Sequence, residues 1–358
     1  MRAHNFGAGP CTLPEDVLAE VRDEFVDFGG SGMSLVEMSH RSEAYEAVHH
    51  ATIALMRSVS GAPDDFDILF VQGGATLQFS MIPMNILAAG QRAGYVVSGS
   101  WGKKAIDNAS PYGLVYPAWD DPTGVYAAMP DAGAVEIEAD SRYPHITTNE
   151  TIGGIRMVEF PDTDVPLVGD MSSEYLARPI DWGRYDVVYG GVQKNLAPAG
   201  MAVVFVRKAA LASANENLGD YLSFKFHAES DSLGNTPPMF PIYVMGKVLA
   251  RIAARGGIAA LERESAAKAA ALYEAIDGSG GFFKNPVNHR DRSHMNVVFR
   301  LPDVDLEARF VAEATAAGLI GLKGHRSVGG LRASLYAALS MESVGALIEF
   351  MDEFRRAA

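Results

Sequence analysis

Five short apolar runs restrict this chain more than any other feature. Residues 68–71 (ILFV), 95–97 (YVV), 165–168 (VPLV), 187–189 (VVY) and 203–206 (VVFV) are continuous rather than alternating in polarity, which is the pattern of strands covered on both faces. Interleaved with helical stretches, they predict a layered α/β architecture around a mostly parallel sheet. Ahead of the first run, Val17, Leu18, Val21, Phe25 and Phe28 keep helical spacing behind Pro14 until Gly29 and Gly30. A second helix starts after Ser42, passes through Tyr45, Val48, Ile53, Leu55 and Met56, and breaks at Gly61. The texture shifts again from about Gly256, to an Ala-rich helix around 261–276, a strand at 297–299, a helix from Leu306 and a last helix to Phe354.

With 358 residues the chain is too long for one ordinary domain, so a large and a smaller one are expected. A formal charge of -14 disfavours nucleic acid and anionic membranes as partners. Any anionic substrate must therefore be gathered by local arginines. Cys11 is the single cysteine. It rules out a disulfide framework and a cysteine-built zinc site, reads as a small packed residue, and fits a reducing cytoplasm. No metal site is expected. No run approaches the roughly 18 to 20 apolar residues that span a bilayer, and MRAHNFGAGP has no apolar signal core.

The segment 187–200, VVYGGVQKNLAPAG, carries the most chemistry. A buried strand ends in small glycines and delivers Gln193-Lys194-Asn195 into a loop. A lysine desolvated there has a lowered pKa suited to Schiff-base formation, and the glycines let a flat ligand approach the backbone. Upstream, Asp170 ends the run 165–170, where open α/β sheets place ligand groups. A carboxylate at that point can pair with a ring nitrogen. The turn Gln72-Gly73-Gly74-Ala75-Thr76 follows a strand and opens a helix, so its free N–H groups and the helix dipole suit a phosphate, with the Thr76 hydroxyl in addition. It lacks both the lysine of a Walker loop and the third glycine of a dinucleotide turn. Trp101, after the strand at Tyr95, can lie against an aromatic ring. Taken singly, each has a plainer reading: a surface lysine, a helix cap, a packing turn and a half-buried loop tryptophan.

In order along the chain, NFGAGP at 5–10 with Leu13-Pro14, MSHRS at 38–42, the 73–79 turn, Ser100-Trp101-Gly102, NETIG at 149–153, DMSS at 170–173, Gln193-Lys194-Asn195, NTPP at 235–238 and GHRSVGGLRAS at 324–334 resemble the phosphoserine aminotransferases. These are pyridoxal-phosphate (PLP) enzymes of fold type I in the class V aminotransferase group, and the likeness spans nearly the whole chain. It implies a large domain at 16–255 with a seven-stranded, mostly parallel sheet between helices, a smaller α+β domain at 256–358, and an N-terminal segment, 1–15, packed with the small domain. Lys194 would tether the cofactor, Asp170 pair with its ring nitrogen, Trp101 stack on the ring and Thr151 touch its hydroxyl side. Ala75, Thr76 and Gln193 would hold the phosphate, joined by Asn235 and Thr236 from a partner subunit of a homodimer. His40, Arg41, His325, Arg326 and Arg332 would bind substrate, Arg332 at the α-carboxylate and the others at a phosphate or at the glutamate side chain.

Two positions depart from some members of the family. Ala8 stands where a serine hydroxyl could touch substrate, and Thr76 where an arginine could add a cation to the phosphate turn. The expected reaction is a ping-pong transamination between glutamate and 3-phosphohydroxypyruvate in serine biosynthesis, with a second role in pyridoxine biosynthesis open. A serine–pyruvate or alanine–glyoxylate aminotransferase has no use for a doubled His-Arg arrangement, and a cysteine desulfurase needs a mobile cysteine that Cys11 is poorly placed to be. A nicotinamide dehydrogenase would need the missing fingerprint. A non-catalytic binding protein is the remaining alternative.

Overall fold

The computed structural model describes residues 2–358. Its first half contains β1 (His4–Asn5), α1 (Glu15–Glu24), α2 (Glu43–Ser60), β2 (Phe66–Gln72), α3 (Gly74–Ile86), β3 (Arg92–Val97), α4 (Ser100–Ala109), β4 (Leu114–Asp120), β5 (Ser141–Thr147), β6 (Asn149–Glu150), β7 (Ile155–Arg156) and β8 (Leu167–Asp170). There follow β9 (Tyr185–Gly191), β10 (Met201–Arg207), α5 (Lys208–Ala212), α6 (Phe224–Glu229), α7 (Met239–Ala254), α8 (Gly257–Asp277), β11 (Asn296–Phe299), α9 (Val304–Ala316), β12 (Leu319–Ile320), β13 (Leu331–Ser334) and α10 (Met341–Ala357).

Seven strands form the central sheet in the order β2-β10-β9-β8-β5-β3-β4. Neighbours from β9 to β4 are parallel, and β10 alone runs against both its neighbours. The short connection dictates that reversal: a parallel return takes a crossover of a dozen or more residues, whereas only 192–200 separate β9 from β10. Apolar side chains alternate between the two faces. Val188, Val203 and Phe205 join one core, and Val187, Tyr189, Val204 and Val206 the other. The continuous runs of the sequence thus become strands clothed by helices on both sides.

A separate apolar core is built from α8, β11, α9, β13 and α10 around Leu272, Phe299, Phe310, Val344 and Phe354. Phe6 is buried in it, and β1 pairs in parallel with β12. The N-terminal segment is thereby held against the C-terminal layer.

Local boundaries differ from the sequence reading at three places. Helix α1 stops at Glu24 instead of running to Phe28, because Phe25 and Phe28 turn edge-on to Phe240 and Tyr243 of α7, at 5.9 and 5.6 Å. Strand β8 begins at Leu167 rather than Val165, after Pro166, which has no N–H to donate to a ladder. Trp101 lies in the first turn of α4, not in a loop. Strands β4 and β5 add to the apolar runs, and β5 is central despite its Ser, Arg, Tyr and His content. Two of its polar groups find partners inside the sheet: Tyr143 Oη lies 3.0 Å from Tyr95 Oη, and His145 Nε2 lies 2.8 Å from Tyr189 Oη. Among the described residues no helix is long and apolar enough to cross a membrane.

Candidate active site

The carboxyl ends of β2, β3, β5, β8 and β9 open onto one cavity of about 580 Å³, the position where open α/β sheets bind ligands. Lys194 is delivered there by the loop between β9 and β10, and only 9% of its surface is exposed. The loop is a tight turn: the N–H groups of Leu196 and Ala197 both donate to Val192 O at 3.0 Å. Asn195 clamps it on both sides, donating to Tyr175 O at 2.7 Å and accepting from Ala337 N at 2.8 Å. Lys194 Nζ donates to Thr151 Oγ1 at 2.7 Å and stands 5.2 Å from the centroid of the Trp101 ring. Burial pushes this amine below the ordinary lysine value, Asp170 and Glu150 pull it back up, and Arg332 pushes it down again. The balance is an amine closer to its neutral, nucleophilic form than one in water.

Asp170 ends β8, and no helix follows it for it to cap. Its Oδ1 accepts from Ser172 N at 2.9 Å and Ser172 Oγ at 2.6 Å. Ser172 Oγ in turn accepts from Gly191 N at 3.1 Å, which ties the carboxylate to the strand that delivers Lys194. Both bonds to Asp170 end on Oδ1, so Oδ2 is available to a cation in the cavity. Burial raises the Asp170 carboxyl above its ordinary value, against the pull of Lys194 and Ser172. A buried carboxylate of this kind calls for a cationic partner.

Opposite lies the start of α3. Gly73 precedes the helix at φ 85°, and a Cβ there would lie 2.7 Å from Leu77 Cδ2, so the turn requires glycine twice over. The N–H groups of Gly74, Ala75 and Thr76 form the first helical turn and have no helical acceptor. With the dipole behind them they make an anion cradle. Gly73, Gly74, Ala75, Thr76, Trp101, Thr151, Asp170, Gln193, Lys194, His325 and Arg332 all line the one cavity. Arg332 is fixed through Nη1 to Thr151 O at 3.2 Å. The fit to the expected cofactor is direct: an amine for an aldehyde, a buried acid for a ring nitrogen, an indole for a ring face and a helix terminus for a phosphate.

The single chain leaves five of the expected residues outside this cavity. His40 and Arg41 sit in the turn before α2, Arg326 is exposed on the loop 324–330, and Asn235 and Thr236 lie between α6 and α7. Thr236 O accepts from Gln72 Nε2 at 3.1 Å, directly before the anion cradle. Cys11 is tucked beside Tyr336, its Sγ donating to Thr12 O at 3.1 Å, and burial pushes its thiol up to about 12. It is not a reactive thiolate.

Sequence reasoning missed Glu150, Ser172 and Asn195. Glu150 is fully buried, and burial pushes its carboxyl up to about 7. Its Oε2 accepts from Trp101 N at 3.1 Å, holding the first turn of α4 in place. The signal was visible, since Glu150 is a lone acid in the otherwise uncharged stretch 144–155. Among the described residues no cluster of three or more His, Cys, Asp or Glu side chains could hold a metal ion.

The family model for aminotransferase class-V matches residues 3–347. The phosphoserine aminotransferase of Lysinibacillus sphaericus (strain C3-41) is 46% identical over 356 residues, covering 99% of this chain and 98% of that protein. The solved phosphoserine aminotransferase of Bacillus circulans subsp. alkalophilus superposes with a TM-score of 0.97 at 45% identity, over 99% of each chain. The PLP-bound phosphoserine aminotransferase of Trichomonas vaginalis gives 0.94 at 36% identity, over 98% of this chain and 100% of that one.

Proposed function

This chain belongs to the aminotransferase class-V family, and from that membership we propose that it moves the amino group of L-glutamate to 3-phosphohydroxypyruvate, giving 2-oxoglutarate and O-phosphoserine. It is a PLP-dependent aminotransferase. The observation that carries the reading is the meeting of Lys194, Asp170, Thr151 and the α3 N-terminus in one cavity that also contains His325 and the Arg332 guanidinium.

Bound PLP supplies an aldehyde for the lysine and a ring that takes up the electron pair left when the substrate α-carbon loses its proton. Lys194 Nζ would hold the cofactor and, as a free amine, would carry the substrate α-proton as base and then as acid. Asp170 Oδ2 would pair with the ring nitrogen and keep it protonated, and Ser172 keeps Asp170 oriented. Thr151 Oγ1 accepts from Lys194 Nζ and would meet the hydroxyl of a bound cofactor ring. The N–H groups of Ala75 and Thr76, with Gln193, would hold the cofactor phosphate. Arg332 takes the substrate α-carboxylate, because a planar guanidinium suits a carboxylate fork. His40, Arg41, His325 and Arg326 take the second anionic group.

The active unit in this reading is a homodimer in which Asn235 and Thr236 complete the partner's phosphate site, which accounts for their place outside the cavity of their own chain. The chain divides into an N-terminal segment, 1–15, a large domain, 16–255, and a small domain, 256–358. We place the enzyme in the cytoplasm, whose reducing conditions keep Cys11 a thiol.

The test is an assay of purified protein with PLP and glutamate against 3-phosphohydroxypyruvate, its four-carbon phosphorylated analogue, pyruvate and glyoxylate. Turnover with the phosphorylated acids far above the other two is expected, and preference for pyruvate or glyoxylate would sink the substrate assignment. Trp101→Ala should weaken PLP binding about threefold to tenfold, the worth of one aromatic contact. A fluorescence titration of the apoprotein measures it, and Trp101→Phe should recover most of the loss.

A further inference from the structure

We propose that Arg300, which lies outside the cavity of Lys194, is the positioning residue that fixes the substrate loop 324–330. Arg300 follows β11, and its main chain is pinned both ways to Lys284, N to O and O to N at 2.9 Å each. From this anchored point Nη1 donates to Val328 O at 2.7 Å, at the crown of the loop. Behind it, Nε meets Glu307 Oε1 at 3.0 Å, and that buried carboxylate also accepts from Leu301 N at 3.4 Å. Arg300 is thus oriented by an acid that is itself held by α9.

The loop has the form such a strut requires. Gly324 N donates to Gly330 O at 2.9 Å and closes its neck, while His325 O accepts from Val328 N at 3.0 Å and Gly329 N at 2.8 Å. Gly330 lies flat on the arginine stem, where a Cβ would come within 2.6 Å of Arg300 Cδ. Within the turn His325 Nδ1 lies 2.7 Å from Ser327 Oγ. Below it is a cavity of about 400 Å³ lined by Val125, Tyr126, Ile152, Val287, Val298 and Leu331, which adjoins the main site at His325 and Arg332. A loop roofing a cavity has little packing to hold it, so a charge-assisted bond to one of its carbonyls sets its position.

The inference rests on the reading that His325 and Arg326 bind the substrate's second anion. Loosening the loop should then cost binding of that anion rather than chemistry at Lys194. The test is Arg300→Met in the holoenzyme, which keeps much of the apolar stem and removes the donors, with Arg300→Lys as the conservative variant. Expected are faster amide exchange across 326–330 without substrate, a KM for the phosphorylated keto acid raised about tenfold, kcat within about twofold, and an unchanged cofactor absorbance. Arg300→Lys should recover part of the KM. Unchanged exchange and KM would overturn the proposal, as would a parallel fall of kcat, cofactor content and melting temperature in both variants. If His325→Ala and Arg326→Ala leave that KM unaltered while Arg300→Met still speeds exchange, the fault lies in the substrate assignment, and the strut is supported.

Discussion

Lys194→Ala should lower transamination by at least about 10⁴-fold, the upper range of what a positioned acid–base group contributes, and should remove the absorbance of the lysine-bound cofactor. Among the described residues no other lysine of the chain lines the cavity to take over either task. The reach of Nζ is set by a turn with Leu196 and Ala197 closed on Val192 and Asn195 fixed at both ends, so the backbone should survive the change. Lys194→Arg is the informative companion. It keeps a cation beside Asp170 and Glu150 but cannot give up its proton at working pH. It should be as inactive as the alanine variant, which separates a need for charge from a need for a neutral amine. Small primary amines supplied to Lys194→Ala should restore part of the rate, because the vacated space faces the cavity.

Asp170→Asn should lower kcat/KM by about 10²- to 10³-fold, the cost of removing one preorganised electrostatic partner from a buried site. The shape is retained and Ser172 can still donate to the amide oxygen, but the negative charge under the ring nitrogen is gone. The same change acts on Lys194. The Asp170 carboxylate favours the ammonium form, so its loss shifts the lysine further below the ordinary value. In the apoprotein the neutral amine should therefore prevail from a lower pH upward in Asp170→Asn than in the wild type. The pH dependence of Lys194 acylation, followed by mass spectrometry, checks the direction. A midpoint that moves up would mean that Asp170 does not face this amine.

The layered fold was legible because the strands 68–71, 95–97, 187–189 and 203–206 are apolar on both faces, and Lys194 was legible because glycines and a buried strand frame it. Strand β5 was not, since Tyr143 and His145 look polar until Tyr95 and Tyr189 are beside them. The reversal of β10 could have been read from the nine-residue connection alone. Ser172 and Asn195 stayed hidden for another reason. Beyond its local bonds to Asp170, Ser172 reaches Gly191 across 19 residues, while Asn195 reaches Tyr175 and Ala337 across 20 and 142, and local sequence contains no trace of such pairings. His40, Arg41, Asn235 and Thr236 were named through the family resemblance and lie outside the cavity of a single chain.

Reduction of the PLP-loaded wild-type protein with borohydride, followed by peptide mass mapping, tests the central claim most directly. The account requires the phosphopyridoxyl group to be recovered on the peptide containing Lys194 and on no other. Label spread over surface lysines, or on a single lysine elsewhere, would contradict it.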